Sequence, residues 1–171
     1  MRVFFCCVTS LLILILFQYP LDAASISNNL DLGMSKLEKE DYNAAIIKFT
    51  EVLELDPTNS VAFNLRGVSK AKRGDFQGSI QDYDQSLKLD SINIDTLNNR
   101  GIAKARLGHI DDAIKDFDTA IKIDENNASA YFNHGISMDM TGNLETACSD
   151  WLNARDLGDA RANKYIIQNC H

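Results

Sequence analysis

The sequence predicts an all-α solenoid: four helix-turn-helix units in series, closed by one further helix at the C-terminus. Three observations carry this. Gly33, Gly67, Gly101 and Gly135 stand 34 residues apart, and Gly74, Gly108 and Gly142 form a second ladder with the same spacing. Ala45, Ser79, Ala113 and Ala147 make a third ladder, and Phe49, Tyr83, Phe117 and Trp151 a fourth. A fixed period of this length marks a chain in which each unit buries its apolar face on the next. Within a unit, apolar residues recur three or four apart, as in Phe76, Ile80, Tyr83 and Leu87, and period-2 alternation is absent, so strands are excluded. Finally, 171 residues with 45% hydrophobic and 24% charged side chains are ordinary globular composition, enough to bury a core.

In chain order, Val3 to Phe17 carry no charge, Arg2 supplies a positive flank, Pro20 breaks the segment, and small residues follow around Ala23 to Ser25. That order predicts a signal peptide over residues 1–23, cleaved after Ala23 or Ser25, and so an exported chain, periplasmic or secreted. The apolar stretch is short of the roughly 20 residues a membrane helix needs. Left uncleaved, it would instead be a signal anchor and tether the chain to a membrane.

The units run 26–59, 60–93, 94–127 and 128–161. In the second, the first helix carries Phe63 and Gly67, Gly74-Asp75 interrupts, and the second helix carries Phe76, Ile80, Tyr83 and Leu87. Gly67 and Ser79 mark a close approach of two helices, with the Tyr83 ring filling the adjoining hole. Tyr165 falls 34 after Tyr131, so residues 160–170 read as the first helix of an unfinished fifth unit, with the capping helix over 162–171 and Arg161, Lys164 and Gln168 on a polar outer face.

These units resemble tetratricopeptide repeats, which place Gly eighth, Ala twentieth, an aromatic twenty-fourth and often Pro thirty-second. The first unit matches with Gly33, Ala45, Phe49 and Pro57, the third with Gly101, Ala113, Phe117 and Ala120, and the fourth with Gly135, Ala147, Trp151 and Ala154. The second departs with Ser79 and Ser86, and Pro occurs only in the first. The resemblance implies a right-handed superhelix over 26–161 that binds other proteins.

Cys6 and Cys7 leave with the signal, and Cys148 and Cys170 remain. The turn at Gly158-Asp159 lies midway between them, so antiparallel helices bring the two level. The run Ala147-Cys148 to Leu157-Gly158 with a terminal Cys also resembles the closing repeat of small exported bacterial tetratricopeptide proteins. A Cys148–Cys170 disulfide is expected in an oxidising compartment; the alternative is two buried thiols.

The residues offer no catalytic set. His109 sits at a turn, where the other units have Asp41, Asp75 and Asn143, and reads as a solvated turn residue. His134 stands in register with Arg66 and Arg100, while Asp82, Asp116 and Asp150 recur just before the large aromatic. These read as structural pairs, Arg66–Asp82 and Arg100–Asp116, modest in energy if exposed. Phosphate loops and the HExxH and GxSxG motifs are absent. Cys170-His171 is half a metal site without further ligands, and Asp111, Asp112, Asp116 and Asp118 lack the order of a calcium loop. No enzyme, cofactor, metal or small-molecule substrate is expected. A net charge of -7 without a basic run argues against nucleic acid.

The resemblance carries the groove over to the first helices. It assigns Asn64, Val68 and Lys72 in the second unit, Asn98, Ile102 and Arg106 in the third, and Phe132 and Ile136 in the fourth. Asp95, Asp139 and Ser129 fall on the same wall. Met34, Val68, Ile102 and Ile136 form an aliphatic floor, which is either a groove floor or plain inter-helix packing. Asn64 and Asn98 would pair with an extended peptide backbone, and Lys72 and Arg106 would favour acidic segments. The carboxylate-gripping subtype is excluded, because Leu30, Met34 and Ser129 occupy its Lys and Asn slots and only Asn99 fits. The leading expectation is an exported, non-catalytic module that binds a partner polypeptide segment in the groove. The alternative is a structural component of an envelope assembly, held through its convex face or ends.

Overall fold

The solenoid is assembled from adjacent antiparallel helices whose ends are written in the loops. A computed structural model describes residues 23–170; all of the expected signal segment but Ala23, and His171, lie outside the described residues. The helices are α1 (23–38), α2 (Tyr42–Leu55), α3 (Ser60–Lys72), α4 (Phe76–Leu89), α5 (Ile94–Arg106), α6 (Ile110–Ile123), α7 (Ala128–Met140), α8 (Leu144–Asp156) and α9 (Ala162–Asn169). Asn59, Asn93 and Asn127 cap α3, α5 and α7, each side chain accepting a backbone N–H at 2.8–2.9 Å. Asp41, Asp75 and Asn143 do the same for α2, α4 and α8.

The first helix of each central unit ends on a glycine in the left-handed region: Gly74 (φ 93), Gly108 (φ 82) and Gly142 (φ 84). In the first unit Glu40 takes that place at φ 58, a conformation that costs a residue with Cβ about 1 kcal/mol.

The core repeats once per unit. Phe49, Tyr83, Phe117 and Trp151 are essentially fully buried. Each lies flat against a glycine of the preceding helix: a Cβ on Gly67 would come 2.6 Å from Tyr83 Cε1, and one on Gly101 2.6 Å from Phe117 Cε1. Only hydrogen lets the helices approach that closely.

Each helix packs on the next, and in addition α3 touches α5 and α5 touches α7. No comparable contact joins α4 to α6 or α6 to α8. Among the described residues the stack is therefore tighter on the side of the first helices, and that side is the concave one. No described helix is long and apolar enough to cross a membrane.

Candidate functional site

Two hollows open on the concave side among the described residues, one between α3 and α5 and one between α5 and α7. The smaller, about 350 Å³, is lined by Val68, Lys72, Asn99, Ile102 and Arg106, with Tyr83 beneath. The larger, about 590 Å³, is lined by Ile102, Arg106, Phe132, Asn133 and Ile136, and by Arg161 and Tyr165 from the closing segment. Such volumes fall within the range of ligand clefts, roughly 300–1,000 Å³. Six predicted residues thus come together: Val68, Lys72, Ile102, Arg106, Phe132 and Ile136. Asp95, Ser129 and Asp139 line neither hollow.

Asn64 and Asn98 sit differently from the expectation. Neither lines a hollow. Asn98 is buried, and its Nδ2 donates at 3.3 Å to Asn127 Oδ1, the same oxygen that caps α7. It belongs to the joint between units three and four, so its removal would disturb packing. Asn64 is half-buried, with its Oδ1 enclosed and without a hydrogen-bond partner among the described residues. The amides that line the hollows are Asn99 and Asn133, one per hollow. One residue along a helix turns the side chain by about 100°, and the 34-residue spacing of Asn99 and Asn133 was the available signal.

Lys72 and Arg106 are exposed and make no ion pair among the described residues. The remaining cations of the first helices are committed. Arg66 reaches Asp82 at 2.7 and 3.0 Å and Thr50 at 3.2 Å, and Lys70 meets Asp82 at 2.7 Å. One unit on, Arg100 reaches Asp116 at 2.6 and 2.9 Å and Asp84 at 2.7 Å, and Lys104 meets Asp116 at 2.7 Å. These pairs, modest in energy only if exposed, are buried: Asp82 and Asp116 are 3% and 4% exposed. The second and first helices enclose them, because each Asp directly precedes the core aromatic. Burial works against the Arg100 charge, but Asp116 and then Asp84 outweigh it and hold its pKa up.

In unit four the same place is filled by His134, whose Nδ1 lies 2.7 Å from Asp150 Oδ2. Its Nε2 is 3.3 Å from Asp118 Oδ1, close enough for charge attraction but not aligned as a hydrogen bond. Burial lowers the His134 pKa, yet the hydrogen bond to Asp150 and the charges of Asp150 and Asp118 leave it raised above 6.5. Met138 stands where Lys70 and Lys104 stand.

The closing segment packs on this last unit. Tyr165 stacks on Trp151 at 5.1 Å and meets Phe132 edge-on at 5.4 Å. The structure joins Cys148 of α8 to Cys170 after α9, with Cα atoms 5.7 Å apart. His109 is exposed and caps no backbone group. Asp112 pairs with Lys115 at 2.8 Å on an exposed face. No group of three metal-ligating side chains gathers among the described residues.

Tetratricopeptide repeat profiles match residues 30–91 and 94–127, together more than half of the chain. Among solved structures, MamA is 21% identical over 81% of this chain and 81% of its own, with a TM-score of 0.74. YrrB, described as a tetratricopeptide repeat protein with an unusual peptide-binding site, is 21% identical over 87% of this chain and 77% of its own, with a TM-score of 0.74. The second such domain of human RPAP3, solved in complex with an HSP70 peptide, is 22% identical over 68% of this chain and 97% of its own, with a TM-score of 0.66. No curated protein sequence matches.

Proposed function

Because the chain belongs to the tetratricopeptide repeat family, we propose that it is a non-catalytic interaction module that holds a segment of a partner polypeptide in its concave groove. One observation carries this reading. Val68, Ile102 and Ile136 run as an apolar floor through both hollows, with the unpaired Lys72 and Arg106 at their edges. Apolar hollows rimmed by a few convergent polar groups are what a bound segment uses. Peptide binding by a fold relative, the human RPAP3 domain, supports it. We also place the chain outside the cytoplasm, periplasmic or secreted, on the pattern of residues 1–23 and the Cys148–Cys170 link.

A photoreactive residue placed at Val68 or Ile102 of the full chain in its own cells should crosslink a partner, whereas one at Ile47 on α2 should not. The mass of the purified chain should begin after Ala23 or Ser25. Crosslinks from Ile47 alone would favour the second reading, an envelope component held through its convex face or ends. That reading draws on exposed Ile47, Ile92 and Ile167, at 58%, 68% and 75%, which lie on a second helix, a turn and the cap.

A further inference from the structure

Arg106 and Ile102 line both hollows, so they stand on the ridge between them. The larger hollow is also where the closing segment reaches into the groove. Its wall is fixed from two sides: Tyr165 meets the edge of Phe132, and the Arg161 guanidinium lies 4.3 Å over the Phe132 ring. The Arg161 charge is already answered, since its Nε donates to Asp159 at 2.9 and 3.1 Å and its Nη2 at 2.5 Å. Arg161 is part of the wall. Arg106 is exposed, has no ion-pair partner among the described residues, and has an apolar hollow on each side.

A guanidinium between two apolar hollows defines a short pattern. We propose that the groove reads a segment in which an acidic residue stands between two large apolar residues. The carboxylate meets Arg106. The larger apolar side chain enters the hollow walled by Phe132 and Tyr165, and the smaller enters the hollow walled by Val68 and Asn99. Asn99 and Asn133 each offer an amide, donor and acceptor, to the backbone of that segment.

The charge arithmetic explains why both kinds of residue are needed. The chain as a whole carries -7, so a long acidic tract would be repelled at a distance. A single carboxylate is attracted only within about a Debye length, roughly 8 Å, of Arg106. The apolar neighbours must then supply most of the affinity, and Arg106 the selectivity.

This inference rests on the groove reading, and the test separates the two. A random-sequence peptide library displayed on phage is selected against the purified chain, and enriched peptides are synthesised and titrated by fluorescence anisotropy. Enriched sequences should carry Asp or Glu flanked by apolar residues. Arg106→Glu should weaken them about tenfold or more, and changing the peptide's acidic residue to Lys should recover that loss. Ala105→Phe, which fills the larger hollow from a half-buried groove position, should weaken them comparably with thermal unfolding unchanged. Peptides that lack the pattern, or a charge exchange that recovers nothing, while Val68→Glu still abolishes binding, would overturn the inference and leave the groove reading standing. No binder, or binders indifferent to Val68→Glu, would overturn both.

Discussion

Units two and three differ from unit four at one buried spot, and the difference shows two ways of closing the same joint. In the middle, Asp82 and Asp116 each answer two basic side chains, Arg66 with Lys70 and Arg100 with Lys104. In unit four, Asp150 answers only His134, and Met138 takes the place of the lysine. A middle unit is pressed from both sides, so a fully charged and fully paired knot is kept desolvated and shut. Among the described residues, unit four is followed by α9 alone. There the largest ring of the chain, Trp151, packs under Tyr165 of α9, and the Cys148–Cys170 link holds that helix down. Stability passes from ion pairs to aromatic burial and a cross-link toward the C-terminus.

The largest effect should come from the middle carboxylates. Asp116→Ala leaves Lys104 enclosed without a carboxylate and Arg100 with only the exposed Asp84, and should cost about 3 kcal/mol in denaturant unfolding. Asp150→Ala leaves a histidine that can shed its proton, and at pH 8 should cost about 1 kcal/mol. Equal costs would erase the distinction between the two regions.

Next, Cys170→Ser, or reduction of the wild type, opens a link between residues 22 apart in sequence. The chain-entropy account assigns such a loop about 3 kcal/mol, with less delivered where the cap can fray locally. Hydrogen exchange should quicken in α9 and α8 before α3 to α6, because solenoid stability is close to a sum of neighbour terms. Uniform loss along the chain would show the cap to be coupled to the middle.

A smaller effect follows pH. His134 binds its proton more tightly folded than unfolded, its pKa raised above 6.5 by Asp150 and Asp118 against the opposing effect of burial. That stability is complete below pH 6.5 and is lost as pH rises through the folded value. Between pH 6 and 8 the protection of α7 and α8 should fall while that of α3 to α6 stays level, since Arg66 and Arg100 stand where unit four has a histidine. A level profile in α7 would mean that folding leaves the proton affinity of His134 unchanged.

The smallest change sharpens the comparison by removing it. His134→Arg with Met138→Lys rebuilds the middle knot in unit four and should abolish the pH slope, with a gain under about 1 kcal/mol because both central knots already include a desolvation cost. Retention of the slope would assign it to a group other than His134.

By itself the sequence determined the architecture. The ladders at Gly33, at Ala45 and at Phe49 fix which residues face one another, because a ring can lie on a helix only where glycine removes the Cβ. The register also named Arg66 with Asp82, Arg100 with Asp116 and His134 with Asp150, since two antiparallel helices joined by a short turn bring fixed offsets together. Only the tertiary structure decided which amides line the hollows, Asn99 and Asn133 in place of Asn64 and Asn98. Neighbouring positions on one helix differ by about 100°, and the tilt between units chooses which of them is open. It also decided that Asp82 and Asp116 are buried, and that Arg161 and Tyr165 of the closing segment stand in the groove wall. Those depend on how far one unit rotates over the next, a quantity set by the packing of whole faces, which no single residue spells out.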